Sequence, residues 1–503
     1  MAKKIKLTPA EVSVDISNGS ERGYYVGSDY MLSKMGRPFR QVNIMYTYYP
    51  KEKTWPVRAS VAYKDMEVHG AWDYPYDDYF PYLGGLEGST DKEPFTCMRD
   101  IRRHGQDVCL TLTCDCSIED ERIIQIAKEL RPFGRMTVRL NHECTGDWFT
   151  HNKRFTYKEV ADFFVHFHDI MREYAPNVSM ICCAGGLESE DATQVHRQED
   201  FENALADTDV WSIDTYLALN WGWPFEVAER FNDQHKREDV QKVFNLLKKT
   251  RYYLAEHTGQ NKKIVMSEIN ADGDVVGQYD QCEMMKEFTD AIIADEKASE
   301  WLEAFTMYQF RDDGRLGLEI TDPNNPEVGI EQPLLASFRE TIKHPKFNPQ
   351  IVDNCCACSG DSAELDDAAI AEGVTLRWGA ADDADGISIE VDFDDEPVFA
   401  ELNFPEEIAD ASLMMEINGR WFYKKPGVTY IDLMPAFYDR KFKGGKLNLN
   451  IFATPVDGVN IEGSSDDWAE NYYYVLKALP TVRVRTIPPL RKGETVEMAM
   501  KQE

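Results

Sequence analysis

Long apolar runs are missing from this sequence of 503 residues. No stretch approaches the ~20 apolar residues that a membrane-spanning helix requires. The charged start, Met1-Ala-Lys-Lys-Ile-Lys-Leu7, is not followed by the apolar segment of a signal peptide. The sequence therefore predicts a cytoplasmic protein without a membrane partner, although a chain whose signal had been removed would look the same.

Basic residues are also scarce. Lysine and arginine number 55 against 88 aspartates and glutamates, which gives a formal net charge of −33. Nucleic-acid binding needs clustered cations that neutralise phosphates, and an anionic membrane surface would repel this chain. We expect neither partner, and we attribute the acidic surplus to solubility.

The cysteine and histidine spacing does not predict a metal centre. Cys355-Cys-Ala-Cys358 and Cys114-x-Cys116 match no usual zinc pattern. His166 and His168 lie two apart in a helical segment, so their side chains point in different directions. The eleven cysteines are an odd number, and several lie in apolar runs, which is typical of reduced, buried thiols. We expect no metal and no organic cofactor.

Residues 1–345 alternate short apolar runs with longer helical patterns. About eight strands alternating with helices predict an α/β fold, a (β/α)8 TIM barrel with an N-terminal extension, over this range. A doubly wound open sheet is the alternative, but no glycine-rich phosphate loop follows the first strand. The predicted strands are Gln41–Tyr49, a weaker one near Val57–Tyr63, Asp107–Thr113, Met136–Leu140, Val178–Cys183, Asp209–Ile213, Ile264–Ser267 and Ala304–Gln309. The predicted helices are Glu119–Leu130, Tyr157–Tyr174, Phe225–His257 and Tyr279–Ala294.

The pattern changes near residue 345. His344-Pro-Lys-Phe-Asn-Pro349 begins a linker, because each proline disfavours helix around it, and we assign residues 346–372 to this linker. Beyond it the apolar residues recur with period two, as in Ile387-Ser-Ile-Glu-Val-Asp-Phe393, and Asn418-Gly419 fits a hairpin turn. Residues 373–503 therefore predict a C-terminal antiparallel β-sandwich, similar to a jelly roll, whose role stays open.

Each of two apolar runs is followed closely by a glutamate. Met136-Thr-Val-Arg-Leu140 is followed by Glu143, and Lys263-Ile-Val-Met-Ser267 is followed by Glu268. The carboxyl ends of barrel strands meet at one face, so we expect these two carboxylates to share a site. Such a pair is the chemistry of glycoside hydrolysis, with a separation of about 5–5.5 Å in retaining enzymes and about 6.5–9.5 Å in inverting ones.

The surroundings of Glu143 carry a family resemblance. Arg139-x-x-His142-Glu143-x-x-Gly146-x-Trp148-Phe149 resembles the acid/base motif of the family 26 glycoside hydrolases, a mannanase-rich family of clan A. Asp209-Val-Trp-Ser-Ile-Asp214-Thr-Tyr216 resembles the sixth strand of that family, and Ser267-Glu268 resembles the end of its seventh strand. The resemblance covers residues 40–320 and fits a neighbouring clan A family as well.

The resemblance implies a role for each matched residue. Glu143 would be the general acid/base and Glu268 the nucleophile, oriented by Tyr216. Arg139 would lie beneath the pair and favour an ionised Glu268, with a buried ion pair of no direct role as its alternative. His142 would contact substrate hydroxyls or position Glu143, with a satisfied strand-end imidazole as its alternative.

Loop residues supply further candidates for sugar binding, since a pyranose ring stacks its C–H face on an aromatic plane. The candidate platforms are Trp148, Trp221 and Trp223 after the predicted fourth and sixth strands, and Trp72, Tyr74 and Tyr76, beside Asp73 and Asp77, in an early loop. Each of these aromatics could equally be a packing residue. Asn220 and Asn270 are candidates for bonding sugar hydroxyls.

We therefore expect a retaining glycoside hydrolase that cleaves β-linked oligosaccharides by a two-carboxylate double displacement. A β-mannoside, a β-glucoside and a β-xyloside are the candidate substrates, and a homo-oligomer is left open. The first alternative is a non-catalytic carbohydrate-binding protein on a degenerate barrel, which would keep the aromatics and lose the paired acids. The second is a metal-dependent barrel hydrolase.

Overall fold

The computed structural model describes residues 2–19, 25–68, 71–84, 91–187, 193–220, 235–353, 364–378, 384–393, 395, 397–438, 445–454 and 473–487. Within these ranges the chain forms a parallel barrel and a β-rich region. None of the helices in them combines the length and the apolar character needed to cross a membrane.

Eight parallel strands, numbered β1–β8 in chain order, form one closed sheet. They are β1 (Ser13–Ser17), β2 (Gln41–Tyr48), β3 (Asp107–Cys114), β4 (Met136–Leu140), β5 (Val178–Cys183), β6 (Val210–Asp214), β7 (Ile264–Ile269) and β8 (Leu302–Met307). Each strand pairs with the next, and β8 pairs with β1, where Phe305 lies opposite Val14. The predicted (β/α)8 barrel is confirmed, and the carboxyl ends of its strands form one face.

Amphipathic helices cover the outside of the barrel. At the start of Tyr157–Tyr174, Thr156 and Glu159 exchange hydrogen bonds in a capping box, while Phe164 and Phe167 are buried on the barrel side. The α-helices are Ser28–Met35, Ala59–Ala62, Phe95–Arg103, Asp120–Leu130, Thr150–Arg154, Tyr157–Tyr174, Gln198–Asp207, Val240–Thr258, Gly273–Val276, Gln278–Ala294, Ala298–Trp301, Pro333–Thr341, Asp367–Glu372 and Met434–Tyr438. Turns of 3-10 helix are Ala71–Asp73, Arg131–Phe133, Pro345–Phe347 and Glu406–Ile408.

The first barrel strand lies earlier than predicted. The weak strand expected near Val57–Tyr63 is wrong, because these residues hold the short helix Ala59–Ala62 in the connection between β2 and β3. β1 did not stand out because Ser13-Val-Asp-Ile-Ser17 is short and carries three polar residues. Its Asp15 is buried and pairs with Arg40 at 2.5 Å, so an ion pair replaces apolar contacts here.

Short strands line the connections that follow the barrel strands. A two-residue strand, Phe80–Pro81, pairs with β2 at Tyr46 and Thr47, near the carboxyl end of that strand. Two further small sheets pair Ala218–Asn220 with His235–Arg237, and Glu319–Asp322 with Arg311–Asp312 on one side and Asn325–Glu331 on the other.

The C-terminal part is an antiparallel β-rich region, as predicted. The hairpin turn has Asn418 and Gly419 at φ 54° and 79°, which is the left-handed pair that such a turn requires. The main sheet has the order Gln350–Asp353, Ala2–Thr8, Ala384–Phe393, Gly445–Ala453, Leu413–Ile417 and Arg420–Lys424, with Glu364–Leu365 beside Ala2–Thr8. Smaller sheets pair Val374–Arg377 with Tyr473–Leu476, and Pro397–Asn403 with Tyr430–Asp432 and Thr481–Thr486.

The main sheet takes strands from outside the predicted sandwich. Ala2–Thr8 comes from the N-terminal extension, and it pairs with Ala384–Phe393 through Ala2 opposite Ile389. Gln350–Asp353, in the predicted linker, pairs with the other edge of the same N-terminal strand. The domain limits at residues 345 and 373 stay a prediction. The strand Ala2–Thr8 joins the N-terminal part of the chain to the C-terminal sheet.

The β-rich region packs against the amino end of the barrel. Trp378, Trp421 and Phe452 form a cluster there, with ring centroids 5.1, 5.6 and 6.0 Å apart. The Trp421 backbone N–H donates to the carbonyl of Gly36 at 2.7 Å, and the Trp378 indole donates to that of Gly105. Gly36 and Gly105 precede β2 and β3, so these contacts lie opposite the face formed by the carboxyl ends of the strands.

Candidate active site

Three carboxylates meet at the carboxyl end of the barrel strands. Glu143 lies in the loop after β4, Asp214 is the last residue of β6, and Glu268 lies near the end of β7. One oxygen from each carboxylate lies within 4.8 Å of the other two. The structure thus brings the two predicted glutamates together and adds Asp214 to them.

Arg139 is the cation beneath this group. Its side chain is fully buried, and its guanidinium bonds Asp214 Oδ2 at 2.9 Å and Glu268 Oε1 at 2.6 Å. Its Nε donates to Thr111 Oγ1 at 2.8 Å, which fixes the plane of the guanidinium. Burial disfavours the cation, but the two carboxylates outweigh burial and hold the pKa of Arg139 well above its ordinary value. Arg139 is therefore a fixed positive charge.

Glu268 is held at both oxygens of its carboxylate. Arg139 bonds Oε1, and the Tyr216 hydroxyl donates to Oε2 at 2.5 Å. Burial and then Asp214 raise the pKa of Glu268 well above its ordinary value, while Arg139 and Tyr216 oppose this rise. Arg139 and Tyr216 are thus the two groups that favour the ionised form of Glu268 against burial and its acidic neighbours. Burial also raises the pKa of Tyr216, so its hydroxyl stays protonated and donates.

Glu143 sits at the rim of the site and is half-buried. Its backbone has φ 50°, a left-handed conformation that costs a non-glycine residue about 1–3 kcal/mol. The Trp148 indole donates to Glu143 Oε2 at 2.8 Å. A Cβ at Gly146 would lie 2.5 Å from the Trp148 ring, so glycine there leaves room for the indole. The loop therefore bends back so that Trp148 holds the carboxylate of Glu143.

His142 lies next to Glu143 in an aromatic setting. It is buried, and its ring centroid lies 4.6 Å from that of Phe149 and 5.9 Å from that of Tyr79. Burial and the nearby Arg139 hold the pKa of His142 well below its ordinary value, so the imidazole is neutral. Its Nδ1 has no hydrogen-bond partner among the described residues. The imidazole of His142 is therefore not fully hydrogen-bonded, unlike that of a satisfied strand-end histidine. The predicted contact of His142 with substrate stays a proposal.

The three carboxylates also have the spacing of a possible metal site, and they are the one such group among the residues that the structure describes. Arg139 already bonds two of the three, so its guanidinium would compete with a metal ion for these carboxylates. The eight cysteines within the described ranges are free. Cys355–Cys358 lie outside those ranges. The discounted histidines pair with aspartates, His166 with Asp120, and His168 with Asp207 and Asp209.

Known proteins offer only distant similarity to this chain. No family model and no curated protein matches it. A solved family 26 β-mannanase from Bacteroides ovatus is similar at 12% identity over 67% of this chain and 89% of that chain, with a TM-score of 0.39. A modular family 26 endo-β-1,4-mannanase from Cellulomonas fimi is similar at 12% identity over 88% and 89%, with a TM-score of 0.42. Values of this size identify neither the reaction nor the substrate of this chain.

Several residues around the site were not predicted. Met45, Tyr79 and Tyr308 form a buried cluster at the mouth of the barrel, against which Phe149 and Tyr216 pack. Asp214, part of the sixth-strand motif, had no predicted role, although it ends β6 much as Glu268 lies near the end of β7. The rule that selected the two glutamates would have selected it too. Tyr79 lies in a long connection, where no periodic pattern points to the site.

Other predicted binding residues lie elsewhere or have other partners. Asn270 is fully buried, and its amide nitrogen donates to the backbone carbonyls of Tyr308, at 2.9 Å, and of Leu316. This favours a structural role, joining β7 to the connection after β8, over the predicted contact with sugar hydroxyls. Trp221 and Trp223 lie outside the described residues, as does the side chain of Asn220.

The early aromatic loop is mostly a packing element. Tyr76 is 1% exposed, and its ring packs on that of Tyr49 with centroids 5.9 Å apart, so it is no sugar platform in this structure. Asp77 is also buried and bonds groups of the protein. Trp72 and Tyr74 are half-buried and stay candidates.

Proposed function

We propose that this protein is a retaining glycoside hydrolase that acts on β-linked oligosaccharides. The observation that carries the proposal is the approach of Glu143 and Glu268, whose carboxylate oxygens lie within 4.8 Å at the ends of β4 and β7. Retaining enzymes place their two carboxyl groups about 5–5.5 Å apart, whereas inverting ones leave room for a water at about 6.5–9.5 Å. The spacing therefore supports direct attack by one carboxylate.

Glu268 is suited to the role of nucleophile. Arg139 and Tyr216 hold its two oxygens, so its carboxylate cannot rotate freely, and both donors favour its ionised form. In the first step Glu268 attacks the anomeric carbon while the bond to the leaving oxygen breaks. When the glycosyl ester forms through one oxygen of Glu268, the donor on the other oxygen still holds the ester carbonyl.

Glu143 is suited to the role of acid and then base. It is more exposed than Glu268, as a residue that exchanges protons with water must be, and Trp148 fixes its direction. It gives its proton to the leaving oxygen in the first step. In the second step it removes a proton from the water that attacks the anomeric carbon and releases Glu268.

The proposed substrate is a neutral β-mannoside, β-glucoside or β-xyloside. The half-buried rings of Trp148, Phe149 and Tyr216 offer partly exposed aromatic surface for one face of a sugar ring, beside the neutral imidazole of His142. The double displacement requires no metal cation, because Arg139 already supplies a positive charge among the carboxylates.

A product analysis tests this function. Nitrophenyl β-glycosides and manno-, gluco- and xylo-oligosaccharides are incubated with the protein, and the first product of any cleaved substrate is followed by NMR. The β-anomer is expected to form first and to mutarotate afterwards. Initial formation of the α-anomer would exclude a glycosyl-enzyme, and binding of an oligosaccharide without hydrolysis over days would favour the carbohydrate-binding alternative. Loss of activity with a chelator, restored by a metal, would favour the metal-dependent alternative.

Gly146→Ala should weaken the acid without touching either glutamate. The new methyl would overlap the Trp148 ring, which has to move away from Glu143. We expect kcat/KM for an unactivated glycoside to fall roughly tenfold, which corresponds to about 1.4 kcal/mol. The rates are measured beside Gly27→Ala, because a Cβ at Gly27 would lie 3.8 Å from its nearest neighbour, Asp100, and neither Gly27 nor Gly146 has a positive φ. Unchanged kcat/KM in Gly146→Ala would show that the indole position does not matter.

A further inference from the structure

Asp77 connects the loop after β2 to the loop that carries Glu143. It is 4% exposed, and its carboxylate accepts three hydrogen bonds. The Tyr49 hydroxyl donates to Oδ2 at 2.6 Å, while the backbone N–H and the hydroxyl of Thr150 donate to Oδ1 at 3.0 and 2.8 Å. Thr150 is the first residue of helix Thr150–Arg154, whose own N-cap residue forms no side-chain cap. Asp77 therefore caps this helix from a different loop.

The capped helix in turn fixes the residues around Glu143. The Asn152 side chain donates to the carbonyl of Gly146, which closes the loop between them. Trp148 lies two residues before the capped Thr150 and donates to Glu143 Oε2 at 2.8 Å. A continuous series of hydrogen bonds and short chain segments thus runs from Asp77 through Thr150 and Trp148 to Glu143.

We propose that Asp77 is a positioning residue for the general acid, an inference that rests on the proposed function. Asp77 touches neither Glu143 nor the site where the glycosidic oxygen would lie. It fixes the start of helix Thr150–Arg154, and through it the indole that directs the Glu143 carboxyl. Oδ1 alone accepts both bonds from Thr150, so asparagine could keep the cap with its one oxygen, whereas alanine removes the acceptor of all three donors.

The dependence of the cleavage rate on the leaving group distinguishes a positioning role of Asp77 from a merely structural one. A phenyl β-glycoside needs a proton from Glu143 when its bond breaks, whereas a 2,4-dinitrophenyl β-glycoside of the same sugar departs without one. In Asp77→Ala we expect kcat/KM for the phenyl glycoside to fall roughly 10–100-fold, which does not exceed the ~10²–10⁴-fold contribution of a general acid. For the dinitrophenyl glycoside we expect a change of less than about threefold, which is under 1 kcal/mol.

A second variant and two controls complete the experiment. Thr150→Val removes one of the three bonds to Asp77, so it should show the same selectivity to a smaller extent, and it keeps the test open where Asp77→Ala does not fold. Asp239→Ala removes a helix cap of the same chemistry in a loop other than that of Glu143. In this cap the Lys242 backbone N–H donates to the Asp239 carboxylate at 2.8 Å. Asp239→Ala should lower both rates equally or not at all. Glu143→Gln supplies the full signature of a lost acid.

The outcomes distinguish this inference from the function on which it rests. If the wild type cleaves no β-glycoside, the proposed function fails. If Glu143→Gln discriminates between the two leaving groups but Asp77→Ala and Thr150→Val lower both rates to the same extent, the function stands. In that case the positioning role of Asp77 is overturned.

Discussion

Replacing Glu268 by glutamine is expected to abolish turnover and leave the fold intact. An amide is not a nucleophile and carries no charge to oppose the positive charge that develops at the anomeric carbon, so kcat should fall by about 10⁴-fold or more. The amide oxygen still accepts the bond from Arg139, which limits the structural cost. Hydrolysis of a nitrophenyl glycoside and thermal unfolding followed by circular dichroism measure the two effects.

Glu319 offers a matched control for this substitution. It is fully buried, pairs with Arg311 at 2.8 Å and accepts the Tyr30 hydroxyl at 2.7 Å, so its partners are of the same kinds as those of Glu268. Glu319→Gln should change stability without removing activity. Wild-type activity in Glu268→Gln would show that the nucleophile lies elsewhere.

Azide separates the two glutamates further. In Glu268→Ala, azide can enter the space of the lost carboxylate and attack the anomeric carbon, which gives an α-glycosyl azide. In Glu143→Ala, azide attacks the glycosyl-enzyme from the opposite face and gives a β-glycosyl azide. The same azide product from both variants would contradict the assigned roles.

The barrel could be predicted from the sequence where its strands are apolar. Met136–Leu140 and Val178–Cys183 have the predicted bounds, because strands buried on both faces appear as continuous apolar runs. β1 broke this rule, since Asp15 is buried against Arg40 and half of the strand is polar. A sequence pattern cannot tell such a buried ion pair from a polar loop.

The site could be predicted where a strand places a residue, and less well where loops do. Glu268 and Arg139 lie on strands, so their positions follow from the barrel, and Glu143 follows β4 within three residues. Tyr79 comes from a connection whose path is set by tertiary contacts. Asp77 was predicted beside sugar-binding aromatics, but its carboxylate faces Thr150 and Tyr49. Composition alone cannot show whether a loop carboxylate faces a ligand or the backbone.

Arg139→Met should be the most destabilising of the substitutions proposed for the site. It leaves Asp214 and Glu268 buried without their shared cation, and breaking a buried pair by removing one partner costs about 3–5 kcal/mol. Activity per folded molecule should fall as well, because Glu268 loses the donor that favours its ionised form. Urea unfolding gives the stability, and rates corrected for the folded fraction give the activity.

The pH dependence and a second buried arginine test the reason for this loss. Burial already raises the pKa of Glu268 in the folded state, and removal of Arg139 raises it further. A raised folded pKa stabilises the protein at pH below the unfolded pKa, and this stability is lost as pH rises through the folded value. The loss of stability in Arg139→Met should therefore be small in acid and grow towards neutral pH.

A second buried arginine is the control for this substitution. Arg102 is buried against Asp107 at the amino end of the barrel, and Arg102→Met should lose stability but keep activity. Equal loss of activity in both variants would mean that Arg139 acts through stability alone.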